Sequence, residues 1–193
     1  MFAEMTSLQT IIRALDLTDA AARRRAESEL MQIGRPALDA LIEALPVASL
    51  RQQVVILKLI GRMANADSMP VLKNALLDPQ WLIRQAAVNA LANFPAEKVL
   101  PLIYHALYDH ALLVRLEAIL ALGQLRHASA VPTLLAHLQS TTSETETYTL
   151  IEALGVCADR SIIPLLEPYV HHDHPQVRQR ALEAISRLMN MTR

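Results

Sequence analysis

The chain has 193 residues, of which 52% are apolar and 19% charged, with 4 glycines and 10 prolines. This composition excludes an extended disordered polymer, a collagen-like fibre and a disulfide scaffold. Lys and Arg number 18 and Asp and Glu 19, so the net charge of −1 gives no sign of a nucleic-acid partner.

The cellular compartment is predicted from the lack of a disulfide, a signal peptide and a membrane span in the sequence. The single cysteine cannot form an internal disulfide, and the first residues lack the basic-then-apolar order of a secretory signal peptide. No run approaches the ~18 to 20 consecutive apolar residues that a membrane span requires. We therefore expect a cytoplasmic protein without a membrane segment.

Prolines mark the first helix of each repeat, helix A. Five of them recur at intervals of 31 to 34 residues: Pro36, Pro70, Pro101, Pro132 and Pro164. Apolar residues follow each proline at the second and sixth positions, which lie on one helical face. Because proline fits the first turn of a helix, each one predicts the start of a helix A.

A second series of residues marks the second helix of each repeat, helix B. Its members occur every 30 to 32 residues: Arg23, Gln53, Arg84, Arg115, Thr147 and Arg178. Apolar residues follow at the seventh and tenth positions, which share one face of an α-helix. Alanine is frequent at the sixth position, where a small side chain lets neighbouring helices approach closely.

In chain order the two series predict six helical hairpins. Their approximate ranges are 6–34, 36–64, 68–95, 97–126, 129–158 and 161–191. One hairpin cannot bury its own apolar face, so we expect the repeats to stack around one continuous core. The predicted fold is an all-α, right-handed α-α superhelix, with residues 1–193 forming a single repeat domain.

A recurrent motif combines a Val-Arg pair, two alanines, a Leu-Gly pair and a loop that leads to Val-Pro. It appears in segments such as LGQLRHASAVPTLLAHL (122–138) and DHPQVRQRALEAI (173–185). The motif resembles HEAT repeats, specifically the short type of the phycobilisome-lyase HEAT-like proteins, over nearly the whole chain. The resemblance implies the solenoid fold. It does not select a function, because such repeats occur in scaffolds, chromophore lyases, hydroxylases and nucleic-acid enzymes.

The resemblance also implies that the B helices line a concave side, so the residues opposite their core are candidate contacts. These lie one and five positions after each member of the second series. Most are polar, but Leu116, Leu120 and Tyr148 are not. The predicted partner-binding residues are Gln85, Asn89, Leu116, Leu120 and Tyr148. Burial between neighbouring helices and ordinary surface exposure are the alternatives, and Trp81 is either a further anchor or a plug in a seam.

Charged residues recur with the repeat and predict a structural ladder. Arg84, Arg115 and Arg178 follow an aspartate by five or six residues. An aspartate at the end of the A-to-B turn can cap helix B, and the arginine can reach an aspartate or a carbonyl of a neighbouring repeat. A basic stripe for phosphates is the disfavoured alternative.

No catalytic residue, cofactor site or metal site is predicted. His171, His172 and His174 cluster in one turn. A metal site needs three or four ligands that converge on the ion, commonly Glu or Asp together with His at helical spacing, and this turn does not offer that pattern. His105 and His137 are expected on the outer faces of their A helices. Cys157 lies in a core column and is predicted to be a buried small apolar residue.

Two segments depart from the repeat. The turn at residues 139–149 is rich in Ser, Thr and Glu, and we expect it to be a weak joint or a partner-contacting loop. At the end of the chain, Leu188, Met189 and Met191 have no further repeat to cover them. Either the C-terminal repeat pairs with a second copy in a homodimer, or these side chains fold back.

The favoured function is a non-catalytic scaffold or adaptor that binds a partner protein in its concave groove. The alternative is a subunit of a bilin (phycobilin) lyase-like or other enzyme assembly, in which a similar repeat array grips a tetrapyrrole. A HEAT-like DNA-binding protein is disfavoured, because the concave positions offer only Arg24 and Lys58 as cations.

Overall fold

The computed structural model describes residues 2–190, and every regular element among them is helical. Side chains are described for residues 7–190. The described chain divides into two compact units, residues 2–94 and 95–190. We refer to them as the N-terminal and C-terminal units.

The N-terminal unit contains three antiparallel helix pairs. Its helices are α1 (Phe2–Ala14), α2 (Ala20–Ile33), α3 (Arg35–Ala44), α4 (Leu50–Met63), α5 (Met69–Ala75) and α6 (Trp81–Leu91). Short 3-10 turns, Leu45–Val47 and Ala66–Ser68, follow α3 and precede α5. The pairs correspond to the first three predicted hairpins.

The C-terminal unit contains the remaining three pairs. Its helices are α7 (Ala96–Ala106), α8 (Leu112–Leu125), α9 (Ala130–Ser140), α10 (Glu144–Cys157), α11 (Ile163–Leu166) and α12 (Pro175–Asn190). The 3-10 turns Arg160–Ile162 and Glu167–His171 flank α11 and complete a short A helix. The predicted all-α solenoid class is therefore confirmed, whereas the single continuous domain stays a prediction.

Four of the five prolines lie in the first turn of an A helix, and Pro132 is the third residue of α9. Pro36, Pro70 and Pro164 occupy the first two positions of α3, α5 and α11. Pro101 instead lies inside α7, so the predicted helix start there is wrong. Pro95 already supplies an extended residue before Ala96, and the helix begins one and a half turns early. The buried face keeps its phase, because Ile103 is fully buried.

Helices B stack on one another within each unit, α2, α4 and α6 in one and α8, α10 and α12 in the other. The column seven positions after the second series is fully buried at five members: Leu30, Ile60, Leu91, Leu122 and Leu154. These leucines and isoleucine confirm the predicted core face of helix B.

A glycine of one B helix packs on an alanine of the next. A Cβ atom added to Gly61 would lie 2.5 Å from Ala90 Cα. At Gly155 the added atom would lie 2.7 Å from Ala184 Cβ. At Gly123 it would lie 3.0 Å from the Cβ of Ala153. The close approach predicted from the alanine column is therefore confirmed. It depends on a glycine in one B helix as well as on the alanine in the next.

Candidate protein-binding surfaces

The five predicted contact residues lie on three B helices in two units. Gln85 and Asn89 are half-buried on α6, and both have interaction partners within the protein. In the C-terminal unit, Leu116 is half-buried and Leu120 is 45% exposed on α8, and Tyr148 is half-buried on the adjacent α10. The structure thus brings Leu116, Leu120 and Tyr148 onto neighbouring helices of one unit.

Helix α8 exposes a stripe of leucines that the sequence analysis identified only in part. Leu113 is 46% exposed and lies three residues before Leu116 and seven before Leu120. Residues at this spacing share one side of a helix. We call Leu113, Leu116 and Leu120 the α8 leucine stripe. The sequence would also have predicted Leu113 if the exposed face had been extended by one helical turn, from Leu116 towards the start of the helix.

The N-terminal unit has a groove along α4, which α2 and α6 also line. Its volume is about 640 Å³. Helix α4 is capped at its start by Ser49, whose hydroxyl accepts the backbone N–H of Gln52, and is followed by Ala64 in the left-handed conformation. We call this feature the α4 groove.

Four cations and one carboxylate line the α4 groove together with five aliphatic side chains. The charged residues are Arg23, Glu27, Arg51, Lys58 and Arg62. Arg62 Nη1 lies 3.8 Å from Glu27 Oε2, whereas Arg51 and Lys58 are exposed and have no ion pair in the described part of the chain. Of this set, the sequence predicts only Lys58 on the concave side, because the positions one and five after the second series cover two points of each helix and the exposed face is wider.

The repeated arginines hold the A-to-B turns of their own repeats. Arg84 Nη1 donates to the carbonyl oxygens of Asp78 and Pro79, at 2.8 and 3.0 Å. Arg178 Nη1 donates to those of His172 and Asp173, both at 2.8 Å. The structural role predicted for these arginines is therefore confirmed, but the carbonyl oxygens that they bind here belong to their own repeat and not, as predicted, to a neighbouring one.

The aspartates of the ladder accept backbone N–H groups in the turn that precedes helix B. The Oδ1 atom of Asp78 accepts the backbone N–H of Gln80 at 2.8 Å, and that of Asp109 accepts the N–H of Ala111 at the same distance. Gln80 and Ala111 are themselves the residues that precede α6 and α8. The prediction that these aspartates cap helix B directly is wrong, because each lies two residues before the N-cap residue.

Arg115 is the arginine that also reaches the next repeat, at a buried polar cluster. Its Nε donates to Oε1 of Glu146, which is 4% exposed at the start of α10. The hydroxyl of Thr141 donates to the other carboxylate oxygen at 2.5 Å. His137 Nε2 lies 3.9 Å from that same oxygen. We call Arg115, His137, Thr141 and Glu146 the polar cluster.

The polar cluster corrects the prediction for His137. This residue is 7% exposed instead of lying on an outer face, and the ring of Tyr108 meets it edge-on at 5.8 Å. It occupies the position at which α3 carries the fully buried Leu41. The signal was available, because the interval from Pro132 to His137 equals that from Pro36 to Leu41. His105 is exposed, as predicted.

Glu146 stands where other repeats carry a buried apolar residue. Ile83, Val114 and Val177 occupy its column and are at most 4% exposed. Burial would raise the pKa of the Glu146 carboxyl, but hydrogen bonds from Thr141 and Arg115 and the charge of Arg115 outweigh it. The pKa therefore lies below its ordinary value and the carboxylate stays ionised at neutral pH.

The polar turn at residues 139–149 is bound into the protein. Ser143 caps α10 by accepting the N–H of Glu146, and its own N–H donates to Thr141 Oγ1 at 3.1 Å. The Ser-x-x-Glu pattern is that of a capping box, but the glutamate side chain turns to Arg115 and Thr141 instead. Glu146, Thr147 and Thr149 are buried, whereas Gln139, Ser140, Thr142 and Glu144 are exposed.

The histidine turn does not assemble a metal site. His172 Nδ1 accepts the N–H of His174 at 3.1 Å and its ring stacks on Tyr169. His174 Nε2 lies 3.4 Å from Glu144 Oε2. Among the described residues no three His, Cys, Asp or Glu side chains converge as metal ligands.

The remaining side chains singled out from the sequence are placed as follows. Cys157 is half-buried, and burial raises the pKa of its thiol to about 11. Trp81 is 37% exposed at the first residue of α6. Leu188 is fully buried and Met189 is 56% exposed, whereas Met191 lies outside the described residues. No helix in the described range 2–190 has the length and apolar character of a membrane span.

Solved structures with similar folds include YibA of Escherichia coli, at 15% identity and a TM-score of 0.69, over 97% of this chain and 77% of that one. The complex of CpcE and CpcF of phycocyanin lyase from Nostoc sp. PCC7120 matches at 17% identity and a TM-score of 0.58, over 93% and 98%. A designed armadillo repeat protein in complex with the peptide (KR)4 matches at 19% identity and a TM-score of 0.56, over 94% and 99%. At these identities the likeness shows the fold.

No curated protein matches the sequence significantly. Sequence profiles of HEAT repeats match residues 49–110 and 69–155, and a HEAT repeat profile matches residues 162–191. Together these matches span more than half of the chain, and they fall on the stacked helix pairs described above. The predicted resemblance is thereby confirmed, and the chain belongs to the HEAT repeat family.

Proposed function

We propose that this protein is a non-catalytic scaffold or adaptor that binds a partner protein on the outer faces of its B helices. These are the solvent-facing sides opposite the buried core, which the sequence analysis predicts to line a concave groove. The observation that carries the proposal is the α8 leucine stripe. Leu113 and Leu120 are nearly half exposed, although the opposite side of the same helix is fully buried at Leu122. The proposed contacts are Gln85, Asn89, Leu116, Leu120 and Tyr148.

The apolar area of these side chains would supply the binding energy. Covering a half-exposed leucine removes enough apolar surface from water to contribute roughly 1 kcal/mol. Three leucines and a tyrosine on two packed helices could supply the apolar centre of an interface, which usually carries most of the binding energy. The designed armadillo protein of similar fold holds a peptide, which supports a role in binding extended protein segments.

The test is an affinity pull-down from native lysate with two matched variants. Leu120→Asp places a charge in the α8 leucine stripe. Leu165→Asp does the same at a leucine of α11 that is 47% exposed, close to the 45% of Leu120. We expect Leu120→Asp, and the double variant Leu116→Asp with Tyr148→Ala, to lose a bound protein that Leu165→Asp retains. An identical bound set for all variants of unchanged helicity would refute the proposal.

The second candidate function is a subunit of a bilin lyase-like assembly. Its support is the similarity in fold to the complex of CpcE and CpcF. Mixing the protein with a phycobilin and recording the visible spectrum separates the two candidates. A coloured complex that survives gel filtration would favour the lyase-like role, and an unchanged bilin spectrum would favour the scaffold.

The C-terminal repeat remains a proposed site of homodimerisation. Met189 is exposed there, while Leu188 has folded into the core. Sedimentation of the wild type and of Met189→Glu tests this pairing. A dimer that the substitution converts to a monomer supports it, and a monomeric wild type at high concentration rejects it.

A further inference from the structure

The α4 groove carries a charge that the protein as a whole does not have. The chain has a net charge of −1, yet the groove presents four cations against one carboxylate. Glu27 is engaged by Arg62, and Arg23 donates to the carbonyl oxygen of Leu17 at 3.2 Å. Arg51 and Lys58 are therefore the cations most available to a ligand.

The spacing of these cations defines the ligand. Arg51 and Lys58 lie seven residues apart on α4, which corresponds to about 10 Å at the helical rise of ~1.5 Å per residue. Val54 and Val55 lie between them in the groove. A complementary ligand presents two negative charges at about this distance with an apolar group between them. A peptide in the polyproline II conformation has three residues per turn and advances ~3.1 Å per residue, so acidic side chains at every third position lie on one side of it, about 9 Å apart.

We propose that the α4 groove binds an acidic protein segment in which aliphatic side chains alternate with carboxylates. The carboxylates would pair with Arg51 and Lys58, and the aliphatic groups would cover Val54 and Val55. This inference rests on the proposed function, since it assigns a partner class to a B-helix face. It concerns α4 in the N-terminal unit, whereas the pull-down variants alter α8 and α10 in the other unit.

The lining of the groove favours a protein segment over a nucleic acid. Five of its lining side chains are aliphatic, and none is an aromatic residue on which a base could stack. Single-stranded nucleic acids are bound by cations together with aromatic platforms, and duplexes by cations that track the phosphates. Alternating apolar and acidic groups satisfy both components of this surface.

The experiment measures fluorescence anisotropy of a fluorescein-labelled peptide made of repeating Glu-Leu-Ser triplets. We expect saturable binding to the wild type that weakens with added salt, since exposed ion pairs are screened. A peptide with Gln in place of Glu should bind roughly tenfold more weakly. A peptide with Ser in place of Leu should also bind more weakly, because the apolar contacts are lost.

The variants locate the binding on α4. Arg51→Glu with Lys58→Glu should weaken binding of the acidic peptide by at least about tenfold. Val54→Asn should weaken it without a change in net charge. The control is Lys73→Glu with Lys98→Glu, which changes the net charge equally at exposed residues of A helices. The control should bind like the wild type, and circular dichroism should show equal helicity for all variants.

Several results would overturn the inference. These are the absence of saturable binding, equal affinity for the Gln peptide, and an equal loss in the control variant. Tighter binding of a single-stranded oligonucleotide than of the peptide would assign the groove to nucleic acid instead. Self-association of the wild type that Arg51→Glu with Lys58→Glu abolishes would assign it to a second copy of the chain. A pull-down in which Leu120→Asp retains the same bound proteins as the wild type would refute the α8 contacts and leave these peptide measurements unaffected.

Discussion

The B helices of the two units differ on their outer faces and agree on their inner ones. Helix α4 exposes Arg51 and Lys58, whereas α8 exposes Leu113 and Leu120. On the inner side, both units pack a glycine of one B helix against an alanine of the next. Packing therefore constrains a few columns of the repeat, and the outward columns are free to carry different partner chemistry in each unit.

The seams between B helices provide a second contrast. The α4–α6 seam has the buried apolar Ile83 just before the ladder arginine, whereas the α8–α10 seam has the buried carboxylate of Glu146 at the same column. Arg115 and Thr141 neutralise and satisfy that carboxylate. The C-terminal unit thus has a buried polar interaction at a column where the N-terminal unit has the buried apolar Ile83.

Alanine substitution of the seam glycines should produce the largest effect. Gly61→Ala would place a methyl group against backbone, so we expect the free energy of unfolding to fall by about 2 to 3 kcal/mol. Gly123→Ala meets a more distant neighbour and also gains helix propensity, so its cost should stay below about 1 kcal/mol. Urea unfolding followed by circular dichroism measures both. Equal costs for Gly61→Ala and Gly123→Ala would contradict the difference between the distances at these two glycines.

Substitution of Glu146 should follow in size. Glu146→Ala removes the partner of Arg115 and leaves a gap, and we expect a loss of about 2 kcal/mol in the free energy of unfolding. Glu146→Val should cost less, because valine is the residue that α8 and α12 carry at this column as Val114 and Val177. The same unfolding experiment compares them. A valine variant less stable than the alanine variant would show that the column is not equivalent between repeats.

The pH dependence of stability should differ between the wild type and Glu146→Gln. The folded pKa of Glu146 lies below its ordinary value of 4.5, so its contribution is fully present well above pH 4.5 and is lost as the pH falls through the folded pKa. The stability difference between the two proteins should therefore shrink on acidification. A difference that is constant from pH 7 to pH 3 would exclude a linked titration of this carboxylate.

Hydrogen exchange should show a smaller effect in the polar turn. The N–H groups of Thr141 and Thr147 donate to the carbonyl oxygens of His137 and Ser143, at 2.9 and 2.8 Å. We expect amides 140–147 to be about as protected as those of the turn before α8. Thr141→Val should raise the exchange rate of the Ser143 amide, which donates to the threonine hydroxyl. Fast exchange throughout the wild-type turn would restore the weak joint expected from composition.

The repeat pattern predicts the fold well because packing columns recur. The buried series from Leu30 to Leu154 and the alanines opposite Gly61 and Gly123 could be identified from spacing alone. The pattern does not predict the burial of polar residues that depart from it. His137 and Glu146 each occupy a core column, and polar residue type suggested exposure for both, although each is buried through contacts between sequence-distant helices.

The candidate surfaces were predicted less completely than the fold. Leu116 and Leu120 stand out from sequence because two apolar residues interrupt an otherwise polar column. Arg51 and Arg62 were missed, because whether a side chain lines a groove depends on the neighbouring helices and not on its own angle. Charge at a groove is a property of several elements together, which no single helical wheel contains.

The central claim, that the outer B-helix face contacts the partner, is tested most directly by site-specific photo-crosslinking in cells. A benzophenone amino acid is placed at Leu120 of α8 or at Leu165 of α11, which are exposed to nearly the same degree. The account predicts a discrete crosslinked protein adduct from position 120 and none from position 165. The same adducts at both positions, or an adduct at 165 alone, would contradict it.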